Sequence, residues 1–234
     1  VTANGAAVSG AKVVVLPSED GGQPAPNGPW PKEADVGANG MALLSLPPGA
    51  TWIMAEAPGY ARASKMRIIA APSELDFELT PEEVLTVELR DEAGHALAGE
   101  VEVHGADPSP IGVRSDREGH IEVHGLGAGP WNVIARAPGY DAVSVRHSGK
   151  SVLRIQLYRL ARLHVAVATA DGKPAADAEV AVSSASLWPP RKTPTDETGH
   201  ALISGLPLGS YAVRASKGAL VSPTELGVVI GRGA

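Results

Sequence analysis

The chain repeats itself at an interval of about 80 residues, and that interval limits the fold more than any other feature. Leu46, Leu126 and Leu206 are evenly spaced, and each stands three residues before a glycine: Gly49, Gly129 and Gly209. Gly40, Gly119 and Gly199 precede those leucines by six or seven positions. The tetrapeptide Ala-Pro-Gly-Tyr occurs at 57–60 and again at 137–140. Three units follow, 1–81, 82–159 and 160–234, each the size of a small domain.

Within a unit, apolar residues alternate with polar ones, the period of half-buried strands. Leu85, Val87 and Leu89 alternate with Thr86 and Glu88; Val101 and Val103 with Glu100, Glu102 and His104; Ile121 and Val123 with His120, Glu122 and His124. Turn clusters separate these runs at 91–94, 107–112, 116–119, 125–129 and 138–139. The third unit repeats the pattern through Leu163, Val165 and Val167, then Val180 and Val182, with turns at 171–174 and 196–199. No window carries a 3.6-residue stripe. Each unit is predicted as about seven short strands in a two-sheet sandwich. Gly5 aligns with Gly94 and Gly172, so the first unit is expected to lack the opening strand seen at 85–89.

Composition agrees and excludes several classes. Hydrophobic residues make up 44% and aromatics only 4%, so the cores are built from Val, Leu, Ile and Ala. The 27 glycines and 20 prolines suit many turns better than long helices. A net charge of −6 argues against a phosphate-backbone binder. With no cysteine there are no disulfides, thiol nucleophiles or thiolate metal sites. No run approaches the ~18 apolar residues of a membrane span. The chain has no initiator Met and no leader-like start, and we expect it to be a mature or excised piece.

The motifs resemble the carboxypeptidase regulatory-like domain, a transthyretin-like sandwich related to Cna-B modules. That pattern runs D-x-x-G, then T/S-D-x-x-G, then G-L-x-x-G, then A-x-x-P-G-Y. The second unit supplies Asp91–Gly94, Ser115–Gly119, Gly125–Gly129 and Ala135–Tyr140. The third supplies Asp171–Pro174, Thr195–Gly199 and Gly205–Gly209, with Ser216–Ala219 in place of the last motif. The first has Gly37–Gly40 where the T/S-D element belongs. The resemblance implies an exported module, secreted, periplasmic or on the cell surface, that serves as spacer or binding platform. Its partners would be further domains of a larger parent or envelope proteins. Relatives with Lys–Asn isopeptides or hydrolase sites do not transfer: the third unit has no Asn, and the chain ends Gly-Arg-Gly-Ala rather than Tyr-Arg-Gly-Ser.

Candidate sites are few. The repeated glycines and the Ala-Pro-Gly-Tyr turns read as structural, with Tyr60 and Tyr140 capping a sandwich end. Asp116 and Asp196 suit hydrogen bonding to amides of the turn that follows, and calcium is the alternative there. His120, Glu122 and His124 share one strand face; with His104 they offer a zinc set, or simply a solvated face. His120 recurs as His200, which favours a turn role. Trp131 and Tyr211 share a repeat position and are predicted core. Trp30, Trp52 and Trp188 suit either a carbohydrate platform or packing between modules. No Ser/His/Asp order recurs, so no enzyme is expected, and no cofactor is required. The expectation is an all-β, elongated array of three seven-stranded immunoglobulin-like sandwiches. It acts as a non-catalytic, stiff structural or adhesive module, with carbohydrate binding through the three tryptophans as the alternative.

Overall fold

A computed structural model describes residues 1–17, 32–46, 49–69, 73–149 and 152–231. The described residues are all strand, turn and extended chain, with no helix among them. They form two compact units, Val1–Ala137 with Ala142–Gln156, and Pro138–Asp141 with Leu157–Ala234.

The first unit holds two sandwiches. The earlier one begins with the short pair β1 (Thr2–Ala3) and β2 (Ala6–Ala7). Next come β3 (Lys12–Pro17), β4 (Lys32–Asp35), β5 (Gly49–Glu56) and β6 (Ala63–Ile69), in the antiparallel order β4-β3-β5-β6. Val13, Val15, Ile53 and Ala55 project from this sheet into a core completed by Phe77 and Leu79. The later sandwich has the seven predicted strands: β7 (Glu83–Arg90), β8 (Glu100–His104), β9 (Ile111–Arg114), β10 (His120–Leu126), β11 (Trp131–Arg136), β12 (Val143–His147) and β13 (Leu153–Gln156). One sheet is ordered β10-β7-β13, with β13 parallel to β7, and the other β12-β11-β8-β9. Leu85, Val87, Leu89, Ile121 and Val123 of one sheet face Val101, Val103, Trp131 and Val133 of the other, each at most 2% exposed. Burying each aliphatic side chain of this size contributes about 1.5–3 kcal/mol.

The second unit has a related plan, without a parallel partner for its opening strand among the described residues: β14 (Ala161–Ala166), β15 (Glu179–Ser184), β16 (Leu187–Pro194), β17 (His200–Leu206), β18 (Gly209–Lys217), β19 (Leu220–Val221) and β20 (Glu225–Ile230). β14 pairs β17, and β16-β15-β18 form the second sheet with β19 and β20 along β18. Val180, Val182, Ile203, Leu206 and Tyr211 make its core.

The first sandwich opens at Thr2. Thr2 bonds to both Phe77 O and Leu79 N and pairs with Ala7, as Arg90 pairs with Gln156 and Ala96. Thr2 thus stands where Arg90 does in the later copy. Residues 41–46, the equivalent of β10, keep the alternation: Ala42, Leu44 and Leu46 pack on the core while Leu43 is exposed. They form no ladder among the described residues, whereas β10 pairs with 83–88 of β7.

One repeated glycine position, at 40, 119 and 199, marks a place where backbone passes close by. Gly119 (φ +74°) and Gly199 (φ +77°) end equivalent turns, and a Cβ there would stand 2.6 Å from Leu89 O and Val167 O. Gly94 (φ +86°) has open space instead. Gly119→Ala is expected to cost about 2–4 kcal/mol, strain plus collision, whereas Gly94→Ala costs about 1–2 kcal/mol of strain alone. Urea unfolding of the two variants measures the difference.

Candidate functional site

The residues singled out by spacing meet in structural anchors. Asp91 Oδ1 accepts the amides of Ala93 and His95 at 2.9 and 2.8 Å, and Asp196 Oδ1 accepts those of Thr198 and His200 at 2.9 Å. Asp116 holds the His120 amide at 2.8 Å. The residue before each of the last two carries the second half of the motif. Ser115 Oγ accepts the Gly99 amide at 2.8 Å, and buried Thr195 Oγ1 accepts the Ala178 amide at 2.9 Å while donating to Ala175 O. The T/S-D-x-x-G element thus ties a turn to a segment 16 or 17 residues earlier.

The Gly-Leu element is a β-bulge. Register shifts at 123–126 against β7 and at 161–162 against 204–206 of β17, with Gly125 (φ +74°) and Gly205 (φ +73°) in the left-handed region. The bulge exposes backbone to new partners. Gly125 N donates to Glu82 Oε2 at 2.6 Å, Gly125 O accepts the Arg62 amide at 2.8 Å, and Gly205 O accepts Arg191 Nη1 at 2.8 Å. Trp131 and Tyr211 are core, as predicted, and share one more feature. Trp131 Nε1 donates to Gly127 O at 3.0 Å and Tyr211 Oη to Pro207 O at 2.6 Å, each reaching the carbonyl four residues back. Burial pushes the Tyr211 hydroxyl pKa up.

The Pro-Gly-Tyr turns hold the chain segments that follow each sandwich. Ala61 N donates to Thr80 O and Glu82 N to Gly59 O, at 2.8 and 3.0 Å. Asp141 N and Leu160 N do the same with Tyr158 O and Gly139 O, at 2.9 Å each. Tyr140 lies under the Arg159 guanidinium at 5.5 Å.

Of the two readings of the histidines, a zinc set or a solvated face, the structure does not bring the four zinc candidates together. His120, Glu122 and His124 do form an exposed row on β10, but His104 lies on β8 in the opposite sheet. There its ring bonds Glu102, which also holds Arg136 at 3.1 Å. His124 Nδ1 contacts Glu82 at 3.1 Å, and Glu122 is 3.8 Å from both neighbouring histidines. No group of three or more His, Cys, Asp or Glu that could hold a metal exists among the described residues. The tryptophans differ in their surroundings. Trp188, on β16, is 80% exposed. Trp52, on the predicted outward face of β5, is half-buried in a cross-strand row with Leu16 and Met66, and Trp30 lies outside the described residues. A shallow concavity of about 250 Å³ on the β8-β9-β11 face is lined by Glu100, Glu102, Arg114 and Arg136. The Glu102–Arg136 pair neutralises part of its wall. Among the described residues no helix is long and apolar enough to cross a membrane.

No protein-family model matches the chain, and neither does any curated protein. The likeness to carboxypeptidase regulatory-like domains therefore rests on motifs alone. Among solved structures, the chain is similar to the Bacillus anthracis TIE protein, at 18% identity over 99% of this chain and 46% of that one, with a TM-score of 0.31. It is similar to a streptococcal ancillary pilin at 11% identity over 96% and 89%, TM-score 0.39. A minor pilin of Streptococcus agalactiae follows at 15% identity over 66% and 84%, TM-score 0.26. The chain spans less than half the length of the first of these. All three scores are below 0.5, so the all-β tandem-sandwich fold rests on the ladders described above.

Acid sensitivity follows from the anchors. The Gly125 amide, more than His124, holds Glu82 below its ordinary 4.5, and the Thr198 hydroxyl and His200 amide hold Asp196 below 3.8. Folded values below unfolded ones give stability that is present above about pH 4.5 and lost as pH falls through the folded values. The melting temperature is therefore expected to be flat from about pH 7 to 5 and to fall below about pH 4. Calorimetry across that range checks this, and Glu82→Gln should flatten the acid limb.

Proposed function

We propose that this chain is a non-catalytic structural or adhesive module of an exported or cell-surface protein. It acts as a stiff spacer or scaffold for protein partners, which would be envelope proteins or further domains of a larger parent. We divide it at 1–81, 82–159 and 160–234, one carboxypeptidase regulatory-like sandwich per segment. The observation that carries the reading is the treatment of the connecting segments. The chain at 80–82 and at 158–160 is hydrogen-bonded at two backbone positions to the preceding Pro-Gly-Tyr turn. A linker with its amides and carbonyls committed in this way loses the freedom of a flexible tether, which is what a spacer requires. The polar groups that stand out in the sequence are spent on turns, bulges and ring anchors, which agrees with a scaffold. The pilin titles of several similar structures fit the same role. Within that role, Trp188 is the proposed contact point for a partner, since an indole 80% exposed on an edge strand leaves its apolar surface available.

Small-angle scattering of the purified chain tests the reading. A compact globule of this length has a radius of gyration of roughly 17 Å. The spacer reading expects a value at least half as large again, with a length distribution skewed to long distances. A radius near the globular value contradicts it.

A further inference from the structure

The two sandwiches of the first unit meet at an arginine whose position in the sequence gives no hint of its use. Arg62 follows the first Pro-Gly-Tyr turn, directly before β6, and its side chain is only 12% exposed. Its backbone amide donates to Gly125 O, the carbonyl released by the bulge in β10. Its guanidinium reaches the 105–110 loop between β8 and β9. There Nη2 donates to Ser109 O and stands 3.6 Å from Asp107 Oδ1, while Nη1 is 3.9 Å from Glu56 on its own sandwich. Asp107 is held for this contact: the same Oδ1 accepts the Ser109 amide at 2.9 Å and the Ser64 hydroxyl, across the junction, at 2.9 Å.

We propose that Arg62 and Asp107 lock the first two sandwiches into a single body that moves and unfolds as one piece. A planar guanidinium, shielded from water and spread over one carboxylate and one carbonyl, fixes orientation as well as distance, which an ordinary surface ion pair does not. Removing either partner leaves the other's charge poorly solvated at the junction, so both sides depend on the contact. Neither partner recurs. Position 142 is Ala, and in the second unit the 105–110 loop is replaced by the tight turn that joins Ser184 to Leu187. There the bulge carbonyl of Gly205 is taken by Arg191 of the same sandwich. The lock is a property of the junction and stands apart from the surface role proposed above.

The experiment uses the full chain, whose lack of cysteine allows clean labelling. Spin labels on Glu33→Cys and Glu118→Cys, exposed sites on the two sandwiches, report their separation by pulsed electron resonance. Calorimetry reports how many transitions the first unit makes. The parent is expected to give a narrow distance distribution and one transition for the first unit. Arg62→Met keeps the aliphatic stem, and Asp107→Ala removes the partner from the other side. Each should broaden the distribution and split the transition, with the earlier sandwich melting roughly 4–8 °C lower. Arg67→Ala, an exposed arginine on β6, should do neither. Narrow distributions and an unsplit transition in both variants would overturn the lock. So would an effect of Arg62→Met without one of Asp107→Ala, which would make Arg62 a stabiliser of its own sandwich only.

Discussion

The hydroxyl of Thr195, and of Ser115 in the preceding copy, is the contact on which the sandwich geometry turns. A seven-stranded sandwich must fix how the start of its second strand lies against the turn between its third and fourth. Hydrophobic faces exclude a slip of one residue, and polar bonds at the turn add a check against a slip of two. Thr195 is 3% exposed and spends both its donor and its acceptor on backbone, at Ala175 O and Ala178 N. The adjacent Asp196 then closes the turn by accepting two amides. These polar bonds act together with the core of Val180, Val182, Ile203, Leu206 and Tyr211 to hold β17 against β14 and β15 against β18.

One local device is put to two uses. The bulge at Gly125 and Gly205 frees a carbonyl from the ladder in each sandwich. In the first unit that carbonyl receives the Arg62 amide from the neighbouring sandwich, and in the second it receives Arg191 from its own β16. The same backbone irregularity is thus a joint in one place and an internal brace in the other. The difference lies in which N–H the surrounding chain supplies, a backbone amide at Gly125 and a guanidinium at Gly205.

Much of this was legible in the sequence because the relevant interactions are periodic or local. Alternation at 85–89, 101–103 and 121–123 gave strands and their inward faces, since side chains on a strand change sides at every residue. The Asp-x-x-Gly turns span four residues and show in composition. The shared place of Trp131 and Tyr211 in the repeat gave their burial. What stayed hidden depends on contacts between distant segments. Alternation assigns a face but not a sheet, so His104 was grouped with His120 although the two lie on opposite sheets. It turns Trp52 away from Ile53 and Ala55 but cannot show that Leu16 and Met66 flank it and leave it half-buried. Residues 41–46 carry a strand pattern without a ladder, because pattern does not guarantee a partner. The Arg62–Ser109 contact joins residues 47 apart in the chain, and only folding brings them together.

The account holds that the repeated polar residues are structural anchors, so their worth must appear as stability. Thr195→Val keeps the shape and removes the hydroxyl, leaving Ala178 N–H and Ala175 C=O buried without it. Equilibrium urea unfolding of the full chain, followed through amide exchange in β15 and β17, measures the consequence directly. The expected result is a loss of about 2–4 kcal/mol in the second unit, the cost of two buried backbone groups left unsatisfied, with the first unit unchanged. A second unit as stable as the parent would contradict the account.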